Sequence, residues 1–202
     1  MLPRRTTANL PIADPFSKTA KTALLVIDVQ EEFVPEVEAA FPDFEANLRA
    51  LLAWGRENRI HIVHIRAEYR EEEQAGKSAW IPHFRELNPE KSFTALPIPA
   101  AFAREEDGEP CIAKPTFCGF THTSLEENLR DNEIKQLLIC GLVTSACVQA
   151  TAHSAFARGF CPILVEDACA DRSRERHESC ISLYGGYMYK VATLETLLKY
   201  RK

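Results

Sequence analysis

Three side chains that can take part in nucleophilic catalysis stand at or just past the ends of predicted β-strands. Asp28 and Lys114 each close an apolar run, and Cys147 follows a third apolar run by a few residues. In an open α/β sheet the carboxyl ends of the strands meet at one edge, and ligands bind in the crevice beyond that edge. We therefore expect these three side chains to lie close together.

Cys147 is the candidate nucleophile. It lies where a predicted strand passes into a predicted helix, and the N–H groups and partial positive charge of a helix N-terminus favour a thiolate. Asp28 is the candidate base for the thiol proton. Lys114 would keep Asp28 ionised and stabilise negative charge on a substrate. A single Cys is more often a buried apolar residue than a nucleophile, so this prediction depends on the combination of the three residues.

Strands and helices alternate along the chain. Apolar runs predict strands at 23–27, 60–65, 111–114, 134–142, 162–165 and 190–194. Helical periodicity predicts helices at 43–58, 123–132, 145–158, 173–184 and 195–200. Continuous apolar runs are typical of strands that are buried on both faces of a parallel sheet. The predicted fold is therefore α/β, a three-layer α/β/α sandwich with a six-stranded, mostly parallel, Rossmann-like sheet.

The domain organisation follows from length and local composition. The chain has 202 residues, which suits one domain with a sizeable core. Residues 1–20 contain Pro3, Pro11 and Pro15 and are predicted to form an irregular N-terminal arm, followed by a single domain over 21–202. Residues 67–110 are the least periodic stretch, and a long segment of this kind is usually functional. Whether it forms a lid is left open.

Composition narrows the class of partner and the compartment. Lys and Arg number 24 and Asp and Glu number 29, so the formal charge is −5, which argues against nucleic acid and anionic membranes. No apolar run approaches the roughly 20 residues of a membrane span. The seven Cys are odd in number and lack C-x-x-C spacing, which predicts reduced thiols and a cytoplasmic protein. The expected partner is a small molecule.

Two segments resemble the isochorismatase-like cysteine hydrolases. The first is residues 23–30 together with Phe33, and the second is Gly-Leu-Val-Thr-Ser-Ala-Cys-Val at 141–148. The resemblance covers most of residues 21–200, and its second segment is the more specific. It implies the isochorismatase-like hydrolase fold, with the family's catalytic Asp, Lys and Cys at Asp28, Lys114 and Cys147.

The same resemblance implies further properties of the site. It implies an oxyanion hole formed by the backbone N–H groups of Val143 and Cys147, and a cis peptide bond between Leu142 and Val143. The family is commonly oligomeric, which implies a homo-oligomer, either a dimer or a tetramer. The implied reaction is hydrolysis of a C–N bond in a small amide, carbamoyl or ureido compound through a thioester on Cys147.

Other functions stay open at this stage. Relatives that cleave the vinyl ether of isochorismate often lack the nucleophile, so Cys147 favours C–N hydrolysis without excluding pyruvate release from isochorismate. A phosphoryl-transfer enzyme of the haloacid dehalogenase type also uses an Asp after its first strand, but it needs a second Asp at the position of Gln30. A binding or effector protein on the same scaffold is the non-catalytic alternative.

Metal and substrate contacts are harder to assign. Nicotinamidases bind a metal through an Asp-x-His pair just past the second strand, and residues 65–70 contain no such pair. We therefore predict no metal and no cofactor. The side chains of four residues are candidate pocket walls, with structural roles as the alternative for Arg66 and Trp80. These residues are Phe33, Arg66, Trp80 and Phe120.

Overall fold

A parallel β-sheet forms the centre of the computed structural model, which describes residues 21–69, 80–89 and 95–200. Its strands are β1 (Thr22–Ile27), β2 (His61–Ala67), β3 (Cys111–Lys114), β4 (Gln136–Leu142), β5 (Cys161–Ala170) and β6 (Lys190–Ala192). All neighbouring strands are parallel, in the order β3-β2-β1-β4-β5-β6. Every residue of β1 and β4 is buried, as the apolar runs predict for central strands.

Helices cover both faces of the sheet. They are α1 (Phe44–Glu57), α2 (Trp80–Leu87), α3 (Leu125–Asp131), α4 (Gln149–Ala157), α5 (Arg174–Tyr184) and α6 (Leu194–Leu198). α1 and α6 pack together on one face. On the other face, Leu125 of α3 and Thr151 of α4 meet Ile65 of β2 around Gly119. The predicted three-layer α/β/α fold is confirmed.

The order of the strands reverses between β1 and β4. The chain leaves β1 towards β2 on one side, whereas it leaves β4 towards β5 on the other side. Such a switch point opens a crevice at the carboxyl ends of the two strands. Asp28 follows β1 and Cys147 follows β4, so the two residues stand on either side of this crevice.

Gly141 allows β4 and β1 to approach each other at the switch point. It pairs with Ile27 and has a φ of 116°. A Cβ atom at this position would lie 2.0 Å from the carbonyl oxygen of Ile27. Only glycine fits such a close approach with this backbone conformation.

The structure differs from the sequence-based elements in three places. The irregular stretch contains α2, and the predicted helix from residue 145 begins instead with a π-helical turn, Thr144–Val148. β5 continues to Ala170 through a shift in its pairing with β4, so Glu166 and Asp167 lie within the strand and do not end it. Asp167 is held there because its carboxylate accepts a hydrogen bond from the N–H of Leu194 at 2.8 Å.

Some predictions on organisation fall outside this description. The arm at residues 1–20 lies outside the described residues, so the division at residue 20 stays a prediction.

Among the helices of residues 21–69, 80–89 and 95–200, none has both the length and the apolar character needed to cross a membrane. All seven cysteines are free thiols.

Candidate active site

Asp28, Lys114 and Cys147 meet at the carboxyl edge of the sheet. Nζ of Lys114 lies 2.8 Å from Oδ2 of Asp28 and 3.4 Å from Sγ of Cys147. The same ammonium donates to the backbone oxygen of Thr116 at 2.9 Å. A lysine ammonium has three N–H donors. These three acceptors hold the ammonium between the carboxylate and the thiol.

The position of Lys114 is set by its place in the sheet. It is the last residue of β3 and pairs with Ala67 of β2. The N–H of Glu68 donates to its backbone oxygen at 3.1 Å. Its side chain is completely buried, so the ammonium depends on protein groups alone for its hydrogen bonds.

Asp28 leaves β1 with a left-handed backbone. Its φ is 51°, a conformation that Asp tolerates better than most residues. Its N–H donates to the carbonyl oxygen of Ile65 at 2.8 Å, which ties the turn to β2. This geometry brings a charged side chain into the crevice directly after a fully buried strand.

Cys147 lies in the π-helical turn after β4. The N–H of Val148 donates to the carbonyl oxygen of Val143 at 3.3 Å, and the peptide bond between Leu142 and Val143 is cis. Oδ2 of Asp171, a fully buried residue that follows β5, accepts a hydrogen bond from the N–H of Ser145 at 2.7 Å. A carboxylate at this end of a helix is favourable because the free N–H groups there carry partial positive charge.

His177 of α5 supports this turn through Thr144, the first residue of the turn. The Thr144 hydroxyl lies 3.1 Å from the carbonyl oxygen of Ala170, which can only accept, and 2.8 Å from Nδ1 of His177. A hydroxyl has one proton, so it donates to Ala170 and accepts from an N–H at Nδ1 of the imidazole. Burial lowers the pKa of His177, which favours this neutral tautomer at neutral pH.

The protonation states of the three central groups follow from burial and pairing. Burial raises the pKa of Asp28, although Lys114 and the Cys147 thiol oppose this shift. Burial also acts to lower the pKa of Lys114, but the negative groups around it, Asp28 first, raise it above its ordinary value. Burial and the nearby Asp28 raise the pKa of Cys147. At rest the site therefore holds a neutral thiol beside an ion pair.

One oxygen of Asp28 is available for proton transfer. Oδ2 is paired with Lys114, whereas Oδ1 is buried and has no hydrogen-bond partner among the described residues. A buried carboxylate oxygen without a partner is unusual in a folded protein. It is chemically suited to accept a proton from a neighbouring donor.

Sequence reasoning missed two side chains at this site. Tyr69 is buried with its ring centre 5.7 Å from Nζ of Lys114, and it packs with Ala67 and Ala95. Gln30 is fully buried and hydrogen-bonds to the end of β2. Tyr69 lies in the aperiodic stretch, where no pattern marks it. Gln30 was visible only as the last residue of segment 23–30 and as the position where a dehalogenase would need a second Asp.

The structure separates the four candidate pocket residues. Phe33 is half-buried and packs against the cluster of Tyr69, at the edge of the site. Arg66 precedes Ala67 and so points to the opposite face of the sheet from Lys114, where it forms an ion pair with Glu105. This ion pair agrees with the structural role that the sequence left open for Arg66 and not with a pocket wall on the face of Lys114.

The structure describes the side chain of Phe120 but not that of Trp80, the other two residues predicted to line the pocket. Phe120 stacks on Phe160 at 5.9 Å, and the Arg158 guanidinium lies 5.0 Å from its ring. Arg158 stands eleven residues after Cys147, roughly 16 Å along the helix. Phe120 is thus buried against Phe160 and Arg158, and its role as a pocket wall stays a prediction. Trp80 begins α2, and its side chain lies outside the described residues.

The two histidines of β2 have structural partners. Nε2 of His61 lies 2.8 Å from Oδ1 of Asn128, and Nε2 of His64 lies 2.8 Å from a carboxylate oxygen of Glu109. Within the described ranges, no three His, Cys, Asp or Glu side chains are grouped so that they could hold a metal ion. The expectation that the protein works without a metal stays a prediction.

Comparison with known proteins places this chain in a family. Residues 22–196 match the isochorismatase domain model. The isochorismatase family protein YecD of Escherichia coli O157:H7 is 32% identical over 184 residues, which cover 88% of this chain and 94% of that protein. The maleamate amidohydrolase of Pseudomonas putida is 27% identical over 191 residues, which cover 88% of this chain and 87% of the enzyme.

A solved structure agrees with the sequence relatives. An isochorismatase family protein from Desulfovibrio vulgaris superposes with a TM-score of 0.76 at 26% identity, covering 89% of this chain and 97% of that chain. The chain described here belongs to the isochorismatase family and is a hydrolase of that family.

Proposed function

We propose that this protein hydrolyses a C–N bond in a small amide, carbamoyl or ureido compound through a thioester on Cys147. The observation that carries the proposal is the position of the Lys114 ammonium, 2.8 Å from Asp28 and 3.4 Å from Cys147. Nucleophile, base and cation are the groups that acyl transfer through a thiol requires. The relative named as an amidohydrolase supports the same reaction class.

The first half of the reaction forms the thioester. Asp28 takes the proton of the Cys147 thiol as Sγ attacks the carbonyl carbon, and the π electrons of the C=O bond move to its oxygen. We assign the resulting oxyanion to the backbone N–H groups of Val143 and Cys147, since donors aimed at developing charge are the usual means of stabilising it. The C–N bond then breaks, and the proton held by Asp28 leaves with the amine or ammonia.

The second half regenerates the enzyme. Asp28 takes a proton from water as the water oxygen attacks the thioester carbonyl. The C–S bond breaks, the acid is released, and the proton returns to Sγ of Cys147. Lys114 stays charged throughout and faces whichever of its two neighbours is negative, the Asp28 carboxylate at rest or the Cys147 thiolate as it forms.

The presence of the thiol favours amide chemistry over isochorismate chemistry. Cleavage of the vinyl ether of isochorismate proceeds by protonation and needs no thioester, so Cys147 would have no role there. The buried carboxylate of Asp171, which accepts a hydrogen bond from the N–H of Ser145, and the buried His177 further hold the Cys147 turn in place. Several contacts thus fix the position of this one thiol, which favours a reaction that uses it.

The test is a screen for released ammonia. The panel contains small aliphatic and aromatic amides, ureido acids and carbamoyl compounds, and isochorismate is assayed separately for pyruvate. We expect ammonia release by the wild type, loss of it in Cys147→Ala, and retention in the control Cys161→Ser, since Cys161 is exposed. Pyruvate release that Cys147→Ala retains in full would contradict the proposal.

A further inference from the structure

The side-chain amide of Gln30 holds the end of β2. Its Oε1 accepts from the N–H of Ala67 at 2.7 Å, and its Nε2 donates to the carbonyl oxygen of the same residue at 3.1 Å. Nε2 also donates to the carbonyl oxygen of Leu96 at 2.7 Å. Gln30 is completely buried. One amide therefore binds both backbone polar groups of a single residue and ties a neighbouring segment to it.

Ala67 ends the strand to which both charged groups of the site are attached. It is the register partner of Lys114 in β3, and the carbonyl oxygen of Ile65, two residues earlier in β2, accepts a hydrogen bond from the N–H of Asp28 at 2.8 Å. The N–H of Gln30 in turn donates to the carbonyl oxygen of Asp28 at 2.9 Å. The Gln30 amide thus fixes the strand end to which both the carboxylate and the ammonium are attached.

We propose that Gln30 is a positioning residue that sets the geometry of Asp28 and Lys114 around Cys147 by clamping Ala67. This proposal rests on the proposed function. Only a side chain with both a donor and an acceptor can make these contacts. Gln meets that need at every pH, whereas a carboxylate can only accept and a thioether provides neither contact of useful strength.

This requirement makes Gln30→Glu a titratable version of the clamp. A protonated carboxyl keeps the acceptor and one donor. An ionised carboxyl faces the carbonyl oxygens of Ala67 and Leu96 without a donor, and the Glu32 carboxylate, whose Oε1 lies 3.4 Å from Nε2 of Gln30, repels it further. Gln30→Met has a similar size but lacks the clamp at every pH. Gln136→Glu is the matched control, because Gln136 is also buried but donates to the Thr22 hydroxyl at 3.1 Å, at the opposite end of the sheet.

The experiment measures the rate at which iodoacetamide alkylates Cys147, by peptide mass spectrometry from about pH 5 to about pH 9. Each variant is compared with the wild type at the same pH, and far-UV circular dichroism checks the fold. Ammonia release is measured in parallel on any substrate from the screen. The alkylation rate reports the environment of Cys147 without knowledge of the substrate.

We expect Gln30→Met to alkylate about 10- to 100-fold more slowly than the wild type at every pH, since small misplacements cost rates of this order. Gln30→Glu should approach the wild type at low pH and fall to the level of Gln30→Met as its carboxyl ionises. Gln136→Glu should follow the wild type throughout. If Gln30→Met does not fold, Gln30→Asn takes its place, because its uncharged amide is one methylene too short to make the same contacts and should show the same loss.

Wild-type rates in Gln30→Met would overturn the positioning role, even if Gln30→Glu slows at high pH, because a charge effect alone would explain that result. A Gln30→Glu variant that matches the wild type at every pH would also overturn it. A wild-type Cys147 that reacts no faster than Cys140, a buried thiol whose pKa is raised by burial alone, would overturn both proposals. If the alkylation rates are as predicted but no compound of the panel releases ammonia, the proposed function would be contradicted and the positioning role of Gln30 would stand.

Discussion

The Lys114 ammonium and the Asp28 carboxylate form an ion pair whose side chains are 0% and 3% exposed. Burial of two charges costs much of what their attraction returns, so a pair of this kind is a weak source of stability. Removal of one partner is different, because it leaves the other charge buried and unpaired. The pair thus links the chemistry of the site to the stability of the fold.

We predict that Lys114→Met lowers the free energy of unfolding by about 3–5 kcal/mol, because it leaves the Asp28 carboxylate without its cation. The double variant Asp28→Asn with Lys114→Met should recover a large part of this loss. Urea unfolding at neutral pH measures both. As a control, Arg49→Met breaks an exposed pair with Glu45 and should cost less than about 1 kcal/mol. Equal losses in Lys114→Met and Arg49→Met would contradict the buried pair.

The pH dependence of activity should follow the ionisation of the Asp28 carboxyl. The base must be ionised, and burial raises its pKa above the ordinary 3.8. Activity should therefore be lost as the pH falls through that raised pKa, so the acid limb has its midpoint above pH 3.8. The profile of kcat/KM measures this midpoint, with circular dichroism at each pH to exclude unfolding. Constant activity down to pH 3.8 in the folded protein would remove Asp28 as the base.

Gly141 should be intolerant of any side chain. In Gly141→Ala the new Cβ would lie 2.0 Å from the carbonyl oxygen of Ile27, so β4 and β1 must separate at the switch point. We expect a loss of more than about 4 kcal/mol in unfolding free energy, or failure to fold. Gly108 also has a positive φ, of 88°, but nothing lies within 4 Å of its Cβ position. Gly108→Ala should cost about 1 kcal/mol, and similar losses in the two variants would contradict the close approach.

Glu109 should give the protein a stability that depends on pH. Burial opposes its ionisation, but hydrogen bonds from Arg56 and His64 outweigh this and lower its pKa to about 2. The folded state therefore releases this proton more readily than the unfolded state. The stabilising contribution is complete above the ordinary pKa of 4.5 and is lost as the pH falls from there towards 2.

The comparison of Glu109→Gln with the wild type tests this contribution. The difference in unfolding free energy should be about 1–3 kcal/mol at neutral pH and should shrink at acid pH. Glu45→Gln, which affects the exposed pair with Arg49, is the control and should change little. A Glu109→Gln difference that stays constant with pH would show that Glu109 acts by packing alone.

Much of the fold and the central site could be predicted because they follow from local patterns. Strands buried on both faces leave continuous apolar runs, so β1 and β4 are visible in the sequence. Asp28, Lys114 and Cys147 each follow a strand, and parallel strands end at one edge. Their meeting therefore required no knowledge of the loops.

The remaining parts depend on long-range contacts. Arg66 and Ala67 point to opposite faces of β2, and only the register with Lys114 in β3 tells which face holds the site. Asp171 and His177 act on the Cys147 turn from another strand end and another helix, and no periodicity marks such contacts.

The central claim is that Cys147 carries the acyl group during turnover. Its most direct test is an acid quench of the wild type while it hydrolyses a substrate from the screen, followed by mass spectrometry of the peptide that contains Cys147. We predict a mass increase equal to the acyl group on that peptide, and a loss of more than about 1,000-fold in kcat for Cys147→Ala. Turnover by Cys147→Ala at the wild-type rate, with no adduct on the wild-type peptide, would contradict the account.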